Sequence, residues 1–308
     1  MIRRVFLGIL ASIVTAAAST SALAAVQEDT SAVVGELIEG DPLHLLVEGA
    51  RLTNSLGEFT EAETGSEFLV VRIAYKNTSD EFHTVSGLLS TRVRDDEAYT
   101  YDQSFYGTAE ALNDGQIAPG EVERGDLVYE VPEDASGFVL EFDFEIGLFG
   151  DLERAVIDLE TTSDDPATLE QELAIDVHGI GDTVEHEGTA VTVNEATTET
   201  QLDDFTEAAA DHEYVIVDFT VENATGEEQR VSTLLQMQLK DGEGLSYDDD
   251  LGATSALERA FEEGAPIADG DERRGQLAYE VEAGREPLYW VFEFSLFAEG
   301  DKTFWQLR

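Results

Sequence analysis

Glu67-Phe68-Leu69-Val70-Val71-Arg72-Ile73-Ala74-Tyr75-Lys76-Asn77 and Glu213-Tyr214-Val215-Ile216-Val217-Asp218-Phe219-Thr220-Val221-Glu222-Asn223 are the two stretches that decide the fold. Each alternates with period two. Leu69, Val71, Ile73 and Tyr75 share one face against Arg72 and Lys76; Val215, Val217, Phe219 and Val221 share one face against Asp218, Thr220 and Glu222. A strand with one apolar and one polar face belongs to an antiparallel sheet that buries one side only. A second pair, the last strand of each half, repeats the pattern: Phe138, Leu140, Phe142, Phe144 and Ile146, then Leu288, Trp290, Phe292, Phe294 and Leu296.

The two opening stretches lie 146 residues apart (213 − 67), and Val85-Ser86/Val231-Ser232 and Tyr101-Asp102/Tyr247-Asp248 keep that offset. From Ile117 and Ile267 onward the offset is 150 (267 − 117), and nine of the fifteen positions 117–131 and 267–281 are identical, too many for chance. The chain is a duplication, with four extra residues in the second copy between Asp248 and Ile267. Each copy is far longer than a solenoid repeat and long enough to bury its own core, so each is a domain. Alternating strands broken by Gly, Asn and Asp turns predict an all-β fold: two tandem immunoglobulin-like antiparallel β-sandwiches, at 31–158 and 174–308, joined by a linker at 159–173. A short helix is expected at Ser255 to Glu263, a weaker one near Ala109 to Leu112, and a helical stretch at Leu169 to Leu173.

The chain of 308 residues carries 67 acidic and 17 basic side chains, a formal net charge of −50, and a sequence pI near 4.1. With 42% hydrophobic residues in strict periodicity, disorder is excluded and the carboxylates belong on the surface of a folded protein. Lysine occurs only at positions 76, 240 and 302, and acid excess with lysine depletion resembles proteins of extreme halophiles. Nucleic acid and anionic membranes are excluded as partners by this charge, whereas hydrated cations gather loosely at the acidic surface. There is no cysteine, hence no disulfide, thiolate nucleophile or zinc-thiolate site.

Residues 1–25 read as an export signal: Arg3 and Arg4, an apolar run from Val5 to Ala18, then Ala22-Leu23-Ala24 as the small-x-small cleavage pattern. Arg3-Arg4-Val5-Phe6-Leu7 resembles the twin-arginine motif. Its removal leaves a soluble product secreted or held at the cell surface, with a net charge of −52 (−50 − 2). An uncleaved N-terminal membrane anchor is the rival reading.

The search for chemistry returns little. His44, His83, His178, His186 and His212 are scattered and read as exposed or turn residues. No H-E-x-x-H, G-x-S-x-G, phosphate loop or dinucleotide fingerprint occurs, so no catalytic residue and no cofactor is expected. The carboxylate runs Asp95-Asp96-Glu97, Asp203-Asp204, Asp248-Asp249-Asp250 and Asp269-Gly270-Asp271-Glu272 follow no calcium-loop spacing, and no metal ligand is assigned to them. Asn77 and Asn223 head N-glycosylation patterns at one repeat position, although Asn after a strand first of all starts a turn. Tyr101/Tyr247 and Tyr129/Tyr279 are candidates to line a groove or to be core residues with a wet hydroxyl. Arg124 and Arg274 are expected to form ion pairs before a strand.

Asn77-Thr78-Ser79-Asp80-Glu81 after a strand, and Ile117-Ala118-Pro119-Gly120-Glu121 leading into Gly125-Asp126-Leu127-Val128-Tyr129-Glu130-Val131-Pro132, resemble the "domain of unknown function 4352" family in both copies. The second copy departs at Asp269 and Glu282, where the pattern has proline. The resemblance implies an immunoglobulin-like sandwich, kinship with a secreted mycobacterial immunoprotective antigen, and an exported binding or envelope role without catalytic residues. The expected function is thus a non-enzymatic binding module for an envelope protein or glycan. A structural envelope component that assembles with itself or a surface layer is the alternative, and a metal-dependent hydrolase is the third reading.

Overall fold

The computed structural model describes residues 29–57, 60–144, 154–295, 300 and 302–308. Arg3, Arg4 and the expected export signal lie outside them, as do Ile146 and Leu296. Among the described residues no helix is long and apolar enough to cross a membrane.

Each copy folds into two facing sheets, and the two copies share one topology. In the first, one sheet runs in the order Thr30–Val34, Arg154–Thr162, Val139–Asp143, Thr91–Arg94, Thr100–Tyr101, and the other in the order Val122–Pro132, Ser66–Asn77, Leu43–Thr53, Leu37–Glu39. In the second, the corresponding orders are Val177–Gly179, Lys302–Gln306, Leu288–Glu293, Met237–Asp241, Ser246–Tyr247, and Glu272–Glu282, His212–Asn223, Thr189–Glu199, Thr183–His186. Even the irregularities repeat. A β-bulge shifts the register between Val47 and Gly49 and again between Val193 and Glu195.

The period-two reading gives the core face, but not an opposite face left to solvent: Phe68, Val70 and Ala74, and Tyr214 and Ile216, are buried there in small clusters under loops and the linker. Leu69, Val71, Ile73 and Tyr75 are buried in the first core with Leu140 and Phe142. Val215, Val217, Phe219 and Val221 are buried in the second with Trp290, Phe292 and Trp305. Phe219 and Trp290 rings lie 4.8 Å apart and Trp290 and Trp305 5.6 Å apart, so the second core is held by an aromatic stack that the first lacks at those positions.

Several expectations are corrected. The Val139–Asp143 and Leu288–Glu293 strands are not last: Arg154–Thr162 and Lys302–Gln306 follow and pair with them. The sheets are not wholly antiparallel, because the first strand of each copy lies parallel to the last. The Arg154–Thr162 strand runs into what the sequence reading gives to the linker. The helix in the four-residue insertion is Leu251–Ala256, four residues before the expected start, because Asp250 supplies the N-cap by accepting the Ala253 N–H at 2.8 Å. Residues 109–110 form a turn, Ala111 bridges to Asp126, and 169–173 adopt no regular structure. Both helical readings counted apolar spacing where the chain instead lays single side chains onto a sheet: Leu169 packs on Leu46, Ala74 and Val122.

Candidate functional site

The two copies are not beads on a string. The outer face of the second copy's Met237–Asp241, Leu288–Glu293 and Lys302–Gln306 strands lies on the Ile117–Glu123 turn of the first copy. Val291 and Phe304 pack there on Ala118, with Leu173 and Ile175 of the linker alongside. Two of the chain's three lysines are buried in this joint. The Lys240 ammonium lies 2.9 Å from Glu121 and bonds Glu123; Lys302 lies 2.7 Å from Glu121 and donates to the Gln116 carbonyl at 2.8 Å. Ser246 donates to Glu123 at 2.9 Å, and the Ala118 N–H donates to Glu121 at 2.7 Å. Two lysines therefore meet two glutamates out of reach of water, Lys240 with 0% of its surface exposed, and at Glu123 burial outweighs the ammonium groups and holds the carboxyl above its ordinary range. Such charges persist only where each is paired and hydrogen-bonded. Burial pushes the Glu121 carboxyl up, but the two ammonium groups outweigh it and hold Glu121 below its ordinary range. Burial lowers Lys240, and the two carboxylates outweigh that and hold it protonated.

Backbone closes the joint further. Ala174 N–H donates to Pro119 O at 2.8 Å, Glu172 N–H to Gly120 O at 3.0 Å, and Arg124 N–H to Gly244 O at 2.9 Å. Gly120, at φ +75°, and Gly244, at φ +94°, make this approach sterically feasible. A Cβ on Gly120 would stand 1.9 Å from Glu172 O, and one on Gly244 2.7 Å from Val122 O.

A second feature occurs once in each copy. The one-turn helices Gly87–Ser90 and Thr233–Gln236 present Leu88-Leu89 and Leu234-Leu235, all four between 56% and 64% exposed. Both turns are tied down at the same place by a carboxylate from the strand-joining segment behind. Asp114 accepts from the Ser86 hydroxyl and, at 2.7 Å, from the Gly87 N–H; Glu263 accepts from the Ser232 hydroxyl at 2.8 Å and from the Thr233 N–H. Burial pushes Glu263 up, but the bonds from Thr233 and Ser232 outweigh it and hold the carboxyl below its ordinary value. A third equivalent position, Phe105 and Leu251, is also exposed in both copies. Large apolar side chains gain by burial, so a pair left in water on a pinned turn, twice, calls for a reason.

The leucine turns adjoin the joint. Leu234 and Leu235 line a cavity of about 150 Å³ between the copies, together with the Asn113–Ile117 segment, Tyr75 and Lys302. That segment carries Asp114, which holds the first copy's turn, and Asn113, which donates to Gln238 of the second copy at 3.3 Å. One short segment at the domain boundary thus holds the first leucine turn and lines the cavity beside the second.

Residues singled out in the sequence take structural roles. Asn77 and Asn223 start turns, as the sequence suggests, and they do so from buried positions. Each amide donates twice, Asn77 to Glu81 O (2.7 Å) and Ile117 O (3.0 Å), Asn223 to Glu227 O (2.7 Å) and Ile267 O (2.8 Å). Each carbonyl accepts the N–H and hydroxyl of the residue two places on. These amides clamp the strand end to the next turn, and the folded chain leaves no space there for a glycan. Tyr101 and Tyr247 donate to Asp95 (2.7 Å) and Asp241 (3.1 Å), closing the same hairpin in each copy; Tyr129 and Tyr279 are core residues. Burial first, then the Asp95 carboxylate, push the Tyr101 phenol up to about 12. Arg124 pairs with Glu48 at the bulge and Arg274 with Asp218.

The acidic runs are dispersed over caps and hairpins: Asp95 and Asp203 accept backbone N–H groups, and Asp250 caps the Leu251 helix. Among the described residues no three His, Asp or Glu side chains converge as a metal site. The histidines are not turn residues but lie in strands or at their starts, His178 against Trp305 and His186 against Phe294. Sequence reasoning missed the leucine turns and the buried lysines. The signals were present: Leu-Leu at one repeat position in both copies, and two of three lysines in the second copy.

The fold and joint define a tandem β-sandwich protein whose repeated features are structural clamps and exposed apolar turns. The family model for "Domain of unknown function (DUF4352)" matches residues 32–153 and 178–302, and the chain belongs to that family as a tandem pair. No curated protein matches the chain. Among solved structures it is similar to an uncharacterised β-sandwich protein of Clostridium difficile (19% identity, 43% of this chain and 95% of that one, TM-score 0.32). It is also similar to the YjhA protein of Bacillus subtilis (13% identity, 41% and 98%, TM-score 0.34). The secreted Mycobacterium tuberculosis protein MPT63 is similar to the same degree (14% identity, 42% and 96%, TM-score 0.34).

Proposed function

We propose that the protein is an exported, non-enzymatic binding module that engages an envelope partner through its two leucine turns, held in fixed relation by the buried joint. The observation that carries the reading is the double occurrence of exposed leucine pairs on carboxylate-pinned turns. Both copies expose large apolar side chains at the same places, Leu88/Leu234, Leu89/Leu235 and Phe105/Leu251. The family supplies no activity, and the polar clusters serve as caps and hairpin ties. Export rests on Arg3, Arg4, the Val5 to Ala18 run and Ala22-Leu23-Ala24. A fixed pair of contacts raises avidity by making the second contact intramolecular.

Photo-crosslinking in the producing cell tests this. A benzoylphenylalanine placed at Leu89 or at Leu235 is expected to capture one and the same partner, while the exposed control position Asp204 captures none. Leu88→Ser with Leu89→Ser should weaken capture from both sites. Different partners from the two turns, or capture equal to that at Asp204, would overturn the reading.

A further inference from the structure

We propose that the molecule carries, unused at opposite ends, both halves of the joint that locks its own two copies, and that second copies of this chain join it head to tail through them. The proposal does not rest on the leucine turns.

The internal joint has three parts: a turn of the first copy (Ile117–Glu123), a sheet face of the second bearing Lys240 and Lys302, and a hairpin of the second (Asp241–Ser246) laid along the edge at Arg124. Each part has its counterpart in the other copy. The counterpart of the buried turn is Ile267–Arg273, whose residues 268–272 are exposed. Strand register puts Arg94 and Arg154 of the first copy at the places of Lys240 and Lys302. The hairpin's counterpart is Asp95–Thr100, where Tyr99 is 63% exposed although its equivalent, Leu245, is buried at 4%. The edge that Gly244 meets at Arg124 corresponds to the edge at Arg274. Among the described residues, one molecule therefore offers an uncovered turn and edge on its second copy, and a sheet face bearing Arg92, Arg94 and Arg154 with an apolar hairpin tip on its first.

The charges are suited to each other. Glu121, which pairs with both buried lysines, is replaced on the free turn by Asp271, still an acid, and both cations on the face are retained as arginine. Where Glu123 becomes Arg273, the face gains an acid, since Glu141 stands at the place of Val291. In the isolated molecule Glu141 pairs with Arg94 at 3.0 Å and with Arg154 at 3.4 Å, and Asp29 also pairs with Arg154; Arg92 on the same face is exposed. The face is thus an island of balanced charge on a strongly acidic protein, where an acidic turn meets the least repulsion. Val291 and Phe304 have no equally apolar counterparts there, so the contact is weaker than the internal one. The two surfaces differ, so the contact is heterologous and extends in one direction instead of closing a dimer.

Sedimentation equilibrium of the mature chain in molar NaCl tests the proposal. The weight-average mass should rise with concentration towards about 1 mM. Arg154→Glu and Asp271→Lys should each lower the association constant at least about tenfold, and together, with the charge pair reversed, should restore it. Leu88→Ser with Leu89→Ser should leave it unchanged. A monomer throughout the range overturns the proposal. So does association indifferent to both charge reversals, or association abolished by the leucine substitutions, which would place the contact on the turns.

Discussion

Replacing Lys240 by methionine keeps the length of the side chain and removes one of the two cations in the joint. Glu121 would then retain Lys302 at 2.7 Å, but Glu123 would lose its ammonium and keep only the Ser246 hydroxyl at 2.9 Å. Removing one member of a buried pair costs about 3–5 kcal/mol, most of it the cost of leaving the other charge buried and unpaired. At roughly 2–4 °C per kcal/mol for a unit of this size, the unfolding midpoint of the second copy and its joint falls by about 6–20 °C. Adding Glu123→Gln removes the stranded charge and should recover at least half of that loss, a coupling that a double-mutant cycle reads directly. Thermal unfolding of the wild type, both single variants and the double variant is the assay. The reasoning fails if Lys240→Met lies within about 1 kcal/mol of wild type, or if the two effects simply add.

Asn77→Ala and Asn223→Ala should each destabilise by about 2–4 kcal/mol, because each leaves buried carbonyls without a donor; chemical denaturation of the two variants checks this. Glu263 is held below its ordinary carboxyl value, so its contribution to the second leucine turn is present above the unfolded pKa. That contribution is lost as pH falls through the lower folded value. The protection factor of the Thr233 amide, its exchange rate relative to the unfolded chain at the same pH, should therefore fall on acidification, and should already be low at neutral pH in Glu263→Gln. With a net charge of −50, the unfolding midpoint should rise steeply from about 0.1 to about 3 M NaCl, whereas millimolar calcium at high NaCl should add little. A flat NaCl series contradicts the charge argument, and a rise with calcium alone would assign one of the acidic runs to a metal.

Much of the architecture was legible because it is written in period two. Leu69 to Tyr75 and Val215 to Val221 announce their buried face one residue at a time, and the constant offsets announce the second domain. What escaped reading depends on contacts between distant residues. Lys240 reads as a polar residue of an amphipathic strand and is solvent-facing in the geometry of one sandwich alone; only the docking of the other copy buries it. Asp218 likewise stands on the polar face yet is buried, by Arg274, Gln276 and Asn194. Leu169 to Leu173 has helical spacing, but its carbonyl and N–H groups are spent on Arg124 and Gly120 across the joint. The leucine turns, although marked by a repeated Leu-Leu, were passed over for the opposite reason, since apolar residues in a sequence are read as core until a structure leaves them outside.

The two copies form one body, locked by the Lys240–Glu121–Lys302 joint. The chain has no cysteine, so Thr84→Cys in a strand of the first copy and Glu222→Cys in a strand of the second give two clean positions for spin labels. Pulsed electron resonance on the doubly labelled protein in molar salt should return a single narrow distance distribution that broadens when Lys240→Met is added. A broad or multimodal distribution in the otherwise unchanged protein would contradict the claim.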